Sequence, residues 1–124
     1  LVNLAGADGT GANLHGANIR QVEADASVFK NADLSECDAY GSSFVAADLS
    51  NASLRGAMLS RSDLNTASLA GADLSGAELI NTNVRAASFR GADLRGIAGS
   101  GTEFVLCDLT DAKTDGDENG SGKT

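Results

Sequence analysis

Large apolar residues recur at every fifth position of this chain, and this period constrains the fold more than any other feature. Of the 22 positions spaced by five from Leu4 to Leu109, twelve carry Leu, four carry Phe, and Ile and Val occupy one each. The four exceptions are small: Gly9, Ala24, Ala39 and Gly99. Two residues before these positions most side chains are small, and two residues after them Gly occurs in ten repeats. The fold must therefore repeat in five-residue steps.

Neither an α-helix nor a flat strand can use this period. On an α-helix five residues turn the side chain by about 500°, so successive large residues would form no continuous stripe. On a flat strand every second large residue would face water. The period suits a chain that runs extended for about three residues and then turns a corner, for which Gly is well adapted. Coils built in this way can stack at the strand spacing of about 4.8 Å around the large residues.

Several of the five-residue steps resemble the pentapeptide-repeat family, whose consensus is Ala, Asp or Asn, Leu and any two residues. Residues 72–76 read ADLSG, residues 12–16 read ANLHG, and residues 92–96 read ADLRG. The resemblance covers residues 2–112. It implies an all-β fold, namely a right-handed quadrilateral β-helix with four pentads per coil and about five and a half coils.

We expect residues 1–112 to form this β-helix and residues 113–124 to be a polar, disordered tail. The coils that contain Gly9 and Gly99 should be thinly packed, because no large side chain fills their interior.

The charge and hydropathy of the sequence argue against nucleic-acid binding and against a membrane span. The chain has 9 Lys and Arg against 17 Asp and Glu, for a net charge of -8. Direct binding of nucleic acid needs clustered positive charge, which the sequence lacks. No run of about 18 apolar residues occurs, so we expect no membrane span.

The sequence offers no constellation that predicts catalysis, and we expect the chain not to be an enzyme and to need no cofactor. The single histidine, His15, falls next to a corner, where it should be solvated. Cys37 and Cys107 occupy small inward positions on opposite sides of the coil, too far apart for a disulfide and too few for a zinc site.

The last segment contains two partial motifs. Asp115, Asp117, Asn119 and Gly120 match the first half of a calcium-binding loop, but the bidentate Glu is missing. Residues 120–124 end like a phosphate-binding loop, but Asp117 stands where the first Gly belongs. A weak calcium site remains one alternative function, although a polar linker explains the composition better.

Six outward-facing apolar residues are the candidate partner-binding residues. With 20 residues per coil, they fall on two adjoining faces: Tyr40, Met58 and Ile80 on one, and Val45, Val105 and Leu106 across the next corner. Other repeats place charged residues or Ser at such positions. Single exposed apolar residues are common, but a group on adjoining faces indicates a docking surface.

The favoured function is therefore a rigid scaffold or protein interaction module that docks on a larger complex. The resemblance implies the chloroplast thylakoid lumen and a membrane-associated complex as one setting, and the cytoplasm as another. It also implies an alternative, because some members mimic DNA and inhibit type II topoisomerases. Those members are dimers joined through an apolar C-terminal segment, whereas nothing apolar follows Ala112 here. We therefore favour the scaffold.

Overall fold

Residues 2–116 are described by a computed structural model of the chain, and they follow one repeated five-residue path. Each repeat except the one that contains Glu103 has a single residue in a β-bridge, and the last two residues of each repeat form a turn. Within residues 2–116 there is no helix, and no strand extends beyond its one bridge residue. The fold is thus a series of short extended segments that alternate with corners.

Successive coils are held together by parallel pairing between residues 20 apart. The bridges run from Asn3↔Glu23 at one end to Asp93↔Lys113 at the other. Backbone hydrogen bonds flank each bridge: the Leu54 N–H donates to the Asp73 carbonyl across 2.7 Å. Since one repeat is five residues long, a spacing of 20 residues places four repeats in each coil.

The four repeats of a coil define four faces, which we number by their central inward residues. Face 1 is centred on Leu4, Ala24, Phe44, Leu64, Val84 and Phe104; face 2 on Gly9, Phe29, Leu49, Leu69, Phe89 and Leu109; face 3 on Leu14, Leu34, Leu54, Leu74 and Leu94; face 4 on Ile19, Ala39, Leu59, Leu79 and Gly99. Each face is a wall on which residues 20 apart form a column.

The corners depend on a left-handed backbone conformation at the second residue after each central position. Eleven glycines and twelve other residues at these corners have φ between 53° and 76°. A hydrogen bond usually closes the turn: the Ala72 N–H donates to the Leu69 carbonyl across 3.0 Å. Positive φ at the third residue of a four-residue turn is the requirement of a type II turn, which Gly meets without strain. The predicted role of Gly at the corner is confirmed.

The interior of the coil is filled by the central residues and by the small residues two positions before them. The central side chains from Phe44 to Phe89 are at most 2% exposed. The end coils are less well covered, because Leu4, Leu14 and Phe104 are only partly buried. The inward register predicted from the period is therefore confirmed.

The expectation that no large side chain fills the interior of the coil at Gly9 is wrong. A β-carbon at Gly9 would lie 2.3 Å from Cε1 of Phe29, so the phenyl ring from the next coil already occupies that space. Gly99 differs, since its nearest neighbour would be Cδ1 of Ile97 at 3.7 Å. Gly9 leaves space for the Phe29 ring, whereas a β-carbon added at Gly99 would be at ordinary van der Waals distance from Ile97.

The small inward column of face 1 begins with Val2 and Val22 and then carries hydroxyl groups in place of Ala. Thr82 Oγ1 donates to the Leu59 carbonyl across 2.8 Å, and Ser62 donates to the same oxygen. Thr102 donates to the Leu79 carbonyl. These hydroxyls satisfy carbonyl groups inside the corner between faces 4 and 1, where a buried acceptor without a partner would be costly.

In about half of the repeats an Asp or Asn stands before the central position and supports the following turn. Its carboxylate or amide oxygen accepts the N–H two residues later, as Asp73 Oδ1 does from Ser75 across 3.0 Å. Such local bonds stabilise the charged carboxylate. Hydrogen bonds from the Ser35 side chain and backbone therefore hold the pKa of Asp33 below its ordinary value of 3.8.

The regular path continues past the predicted boundary at Ala112. Lys113 pairs with Asp93, and Gly116 has the φ of 76° that marks a corner. The Asp115 carboxylate accepts the Gly96 N–H across 2.9 Å, where a backbone carbonyl serves in other coils. The Asp115 carboxylate thus replaces one backbone acceptor of the ladder, and the coil extends to residue 116. The rest of the predicted tail, residues 117–124, lies outside the described residues.

We expect Leu69→Ala to lower the free energy of unfolding by about 2 to 5 kcal/mol, because Leu69 is 0% exposed and its loss leaves a cavity. Urea denaturation measures the change. Leu106→Ala is the matched control, since Leu106 is 71% exposed and its truncation should change stability by about 0.5 kcal/mol or less. A loss below about 1 kcal/mol for Leu69→Ala would contradict the inward register.

We expect Gly9→Ala to destabilise the chain by about 1 to 3 kcal/mol, because the new β-carbon overlaps the Phe29 ring. Gly99→Ala should be neutral or stabilising by up to about 1 kcal/mol, since it adds no overlap and restricts the unfolded chain. Equal thermal melting temperatures for the two variants would rule out the assigned position of the Phe29 ring.

We expect acid to destabilise the fold. Asp8, Asp33 and Asp108 have pKa values lowered by hydrogen bonds from Thr10, Ser35 and Thr110, so the unfolded chain binds more protons than the folded one. This stabilisation is complete above about pH 4 and is lost as pH falls through the lower, folded-state pKa values. Urea midpoints between pH 7 and 2 test this, with the triple Asp→Asn variant as control. An equally steep acid loss in that variant would contradict the assignment.

Candidate functional site

The six predicted partner-binding residues lie on the outer surface, but their exposure differs. Met58 is 39% exposed, Val105 38% and Leu106 71%. Tyr40, Val45 and Ile80 are less exposed, because each is half-buried. The structure brings Tyr40, Met58 and Ile80 together on face 4, and the other three on face 1 or its edge.

On face 4, the side chains of Tyr40 and Ile80 belong to one column with Ser60 between them. Ser60 is only 6% exposed although it occupies an outward position, so its larger neighbours cover it. Its Oγ accepts the Ile80 N–H across 3.1 Å. The apolar surface of face 4 is therefore a shallow, packed wall to which Met58 adds the most exposed side chain.

Tyr40 is less available than its outward position indicates. The guanidinium carbon of Arg20 lies 4.7 Å from the centre of the Tyr40 ring, and Arg20 Nη1 lies 3.1 Å from Asp38 Oδ2. A cation over the ring face is a favourable contact within the chain. The aromatic ring thus already has a partner, which the sequence pattern alone did not reveal.

On face 1, the most exposed apolar residue occupies a strained corner. Leu106 has φ of 58°, and bulky residues rarely adopt this left-handed conformation. The neighbouring Val105 presents its side chain in the adjacent column. Val45 lies three coils away in the same column, where its N–H donates to Asp25 Oδ1 across 3.0 Å.

The edge between faces 1 and 2 differs in chemistry from the other three edges. Its left-handed corners include Ala26, Ala46, Ala86 and Leu106. Within residues 2–116, the other left-handed corners carry only Gly or polar residues. Sequence reasoning missed this apolar edge, although writing the chain in rows of 20 residues places these four positions in one column.

The ladder is open at one place beside this edge. Asn83 pairs with Asp63, but among the described residues it has no bridge to Glu103 in the following coil. The turn before it also differs, because the Thr82 N–H donates to Thr102 Oγ1 across 3.0 Å and not to the Leu79 carbonyl. A groove of about 280 Å³ lies there, and Arg85 and Val105 contribute to its lining. Face 1 is therefore less regular near its C-terminal end than elsewhere.

Ion pairs neutralise carboxylates on faces 2, 3 and 4. Arg90 pairs with Asp108 on face 2, Arg55 with Asp73 and Arg95 with Asp93 on face 3, and Arg20 with Asp38 on face 4, at N–O distances of 2.7 to 3.5 Å. Face 1 carries Glu23, Asp25, Asp63 and Glu103, and within residues 2–116 none of them forms an ion pair. Among the described residues, face 1 thus has the most carboxylates without an ion pair, and Arg85 is the one cation at its outward positions.

His15 and its neighbours do not have the geometry of a hydrolytic triad. His15 Nδ1 lies 2.7 Å from Ser35 Oγ, but the Ser35 hydroxyl donates its proton to Asp33. In a triad the histidine accepts the proton of the serine hydroxyl, and the carboxylate contacts the histidine. Glu36 lies 3.7 Å from His15 Nε2 on the exposed surface. The group forms a surface hydrogen-bond network.

The two cysteines are free, as the sequence predicted. Burial is the main cause that raises the pKa of Cys37 to about 11, so its thiol stays protonated at neutral pH. Cys107 is half-buried, its Sγ lies 3.0 Å from the Val84 carbonyl, and desolvation raises its pKa. Both therefore behave as space-filling thiols.

Two further features concern residues 2–116 alone. No three His, Cys, Asp or Glu side chains in this part of the chain come close enough together to hold a metal ion. The same residues include no helix long and apolar enough to cross a membrane. The predicted calcium ligands Asp117, Asn119 and Gly120, and the phosphate-loop-like segment, lie outside the described residues.

Comparison with solved structures finds several similar folds. QnrB1, a plasmid-mediated fluoroquinolone resistance protein, is 22% identical with a TM-score of 0.60, over 93% of this chain and 73% of that one. This likeness concerns the fold alone.

Two further structures align less closely. HetL, involved in heterocyst differentiation regulation in the cyanobacterium Nostoc sp. strain PCC 7120, is 28% identical with a TM-score of 0.46, over 93% of this chain. The present chain spans 52% of the length of HetL. A pentapeptide repeat protein from the Arabidopsis thaliana thylakoid lumen is 24% identical with a TM-score of 0.34, over 90% of this chain and 63% of that one.

A search of curated protein sequences finds no match. The family profile for pentapeptide repeats, however, matches in 8 copies over residues 2–23, 27–65 and 59–96. The chain therefore belongs to the pentapeptide-repeat family, whose members form right-handed β-helices and are in general structural or interaction modules.

Proposed function

We propose that this chain is a non-enzymatic interaction module, a rigid scaffold subunit of about five and a half coils that docks on a larger protein complex. The observation that carries the proposal is the exposure of Met58, Val105 and Leu106 at outward positions of adjoining faces 4 and 1. Exposed apolar groups on a surface otherwise built from charged and small polar residues are typical of protein interfaces.

The exposure of Met58 is not an effect of the ends of the described β-helix. Val2 is 55% exposed because it is an inward residue of the first described coil, which has a covering coil on one side only. Met58 lies in the middle of the β-helix, with a paired coil on each side through Asp38 and Glu78. Its exposure follows from its outward position.

The fold favours a scaffold over a small-molecule site. Parallel bridges connect successive coils, so each face is a broad wall of fixed geometry. Small ligands generally bind in enclosed, largely apolar pockets. The surface depression beside His15 and Arg55 is polar and open, so it lacks that character.

We further propose a membrane-associated complex reached from the thylakoid lumen as the setting. This part of the proposal rests on family membership alone, because some members occur in chloroplasts. Cytoplasmic assembly is the alternative, and fractionation of the source cells followed by detection of the native protein distinguishes the two compartments.

Mimicry of DNA, with inhibition of a type II topoisomerase, is the second candidate. The four unpaired carboxylates of face 1 favour it, since a DNA mimic must present negative charge. The Arg–Asp pairs on the other three faces oppose it, because duplex DNA is negative on every side. An assay of DNA supercoiling by gyrase with and without the chain tests this candidate directly.

We expect Met58→Asp combined with Leu106→Asp to abolish docking, because a charge placed in an apolar contact must be desolvated without a partner. The variant should remain folded, since both side chains are exposed, and its thermal melting temperature measures the repulsion that a carboxylate at position 58 adds between Asp38 and Glu78. The measurement is quantitative affinity capture of the native complex with wild-type and variant protein.

Ala70→Asp combined with Ser88→Asp is the matched control, because it adds the same charge on face 2. If the chain is an interaction module, the double substitution at Met58 and Leu106 should abolish capture, and the face 2 control should keep it. Equal capture by both variants would refute a docking surface on faces 4 and 1.

A further inference from the structure

Resting on the proposed interaction function, we propose that face 1 and its edge bind a basic amphipathic segment of a protein partner. The segment would place aliphatic or aromatic side chains against the apolar edge formed by Ala26, Ala46, Ala86 and Leu106. Its Lys or Arg side chains would meet the carboxylates of the same face.

The apolar half of this surface is an almost continuous column. Ala26, Ala46, Ala86 and Leu106 are all exposed at successive corners, interrupted by Thr66. At about 4.8 Å per coil, the four coil steps from residue 26 to residue 106 span about 19 Å. A helical segment of about 13 residues has the same length.

The adjacent outward column extends the apolar surface. Val45 and Val105 lie next to Ala46 and Leu106, and Val105 is 38% exposed. Two neighbouring columns therefore share apolar side chains at two levels of the β-helix. A partner that presents a row of apolar residues can contact both columns at once.

Charge complementarity identifies the polar half of the partner. Glu23, Asp25, Asp63 and Glu103 face solvent or are half-buried on face 1, and no cation within residues 2–116 pairs with them. The other three faces use arginines to neutralise part of their acidic charge. Within residues 2–116, Arg85 is the one cation at an outward position of face 1, and Arg61 stands at its corner with face 4. The four carboxylates outnumber these two cations, so the face attracts cationic side chains.

The net charge of the whole chain acts in the same direction. A charge of -8 accelerates the approach of any basic partner, so attraction alone does not demonstrate a specific site. The test must therefore separate face 1 from the rest of the acidic surface. Matched substitutions that change net charge equally on different faces achieve this separation.

The corner chemistry supplies variants that remove the apolar edge without weakening the fold. Asn is already accepted at the left-handed corners Asn31, Asn51 and Asn81. Leu106→Asn with Ala46→Asn should therefore fold at least as well as the wild type, because Asn tolerates positive φ better than Leu or Ala. Any loss of binding then reports on the surface.

The experiment measures binding of a synthetic 14-residue amphipathic peptide of Lys and Leu to the full chain by fluorescence anisotropy. The proposal predicts that Leu106→Asn with Ala46→Asn weakens binding about tenfold, and that Glu23→Gln with Glu103→Gln does the same. Glu36→Gln with Asp111→Asn, which removes the same charge at other edges, should change affinity less than twofold. Amide chemical shifts of the labelled chain should move on face 1 when the peptide is added.

Equal effects of the two charge-removing pairs, no effect of the Asn variant, or no measurable binding would overturn the proposal. Capture of the native complex distinguishes this failure from failure of the interaction function. If Met58→Asp with Leu106→Asp abolishes capture while the peptide results are negative, the module stands and the partner has a different chemistry. If capture is also unaffected, both proposals fail.

Discussion

The parallel hydrogen-bonded pairing between residues 20 apart is the constraint on which the rest of this structure depends. It fixes each residue above its counterpart in the neighbouring coil, so a sequence position becomes a place on one of four walls. The pairing requires each corner to turn the chain by the same amount. The positive φ at all 23 corners within residues 2–116 gives each corner the same backbone conformation. Inward side chains then stack into a continuous core, and outward side chains stack into columns whose chemistry can differ from face to face.

Function in such a fold must come from these columns, because the interior is closed and the walls are broad. Faces 2 and 3 consist mainly of charged and polar residues, partly neutralised by ion pairs such as Arg95–Asp93. Faces 4 and 1 carry Met58, Val105 and Leu106 at outward positions. Within residues 2–116, face 1 also has the most carboxylates without an ion pair and contains the one interruption of the ladder, between Asn83 and Glu103. The surface most suited to recognition is therefore also the least regular wall.

The sequence predicted those features that repeat in every pentad. The inward register of Leu69, the corner role of Gly and the separation of Cys37 from Cys107 all follow from the period. Features that depend on a pair of neighbouring coils were harder to predict. The Phe29 ring fills the space beside Gly9, and Arg20 covers Tyr40, because each side chain reaches a residue about 20 positions away. The inward hydroxyl of Thr82 bonds a carbonyl 23 residues earlier, which a five-residue pattern does not encode.

We propose that faces 4 and 1 form the docking surface of an interaction module. Hydroxyl-radical footprinting of the native protein, alone and within its assembly, tests this proposal because the extent of oxidation of each side chain reports its exposure and no residue has to be substituted. We expect reduced oxidation of Met58 and Leu106 in the assembly, whereas the oxidation of His15 on face 3 and of Phe89 in the core should be unchanged. Protection confined to faces 2 and 3, or equal oxidation in the free and assembled protein, would contradict it.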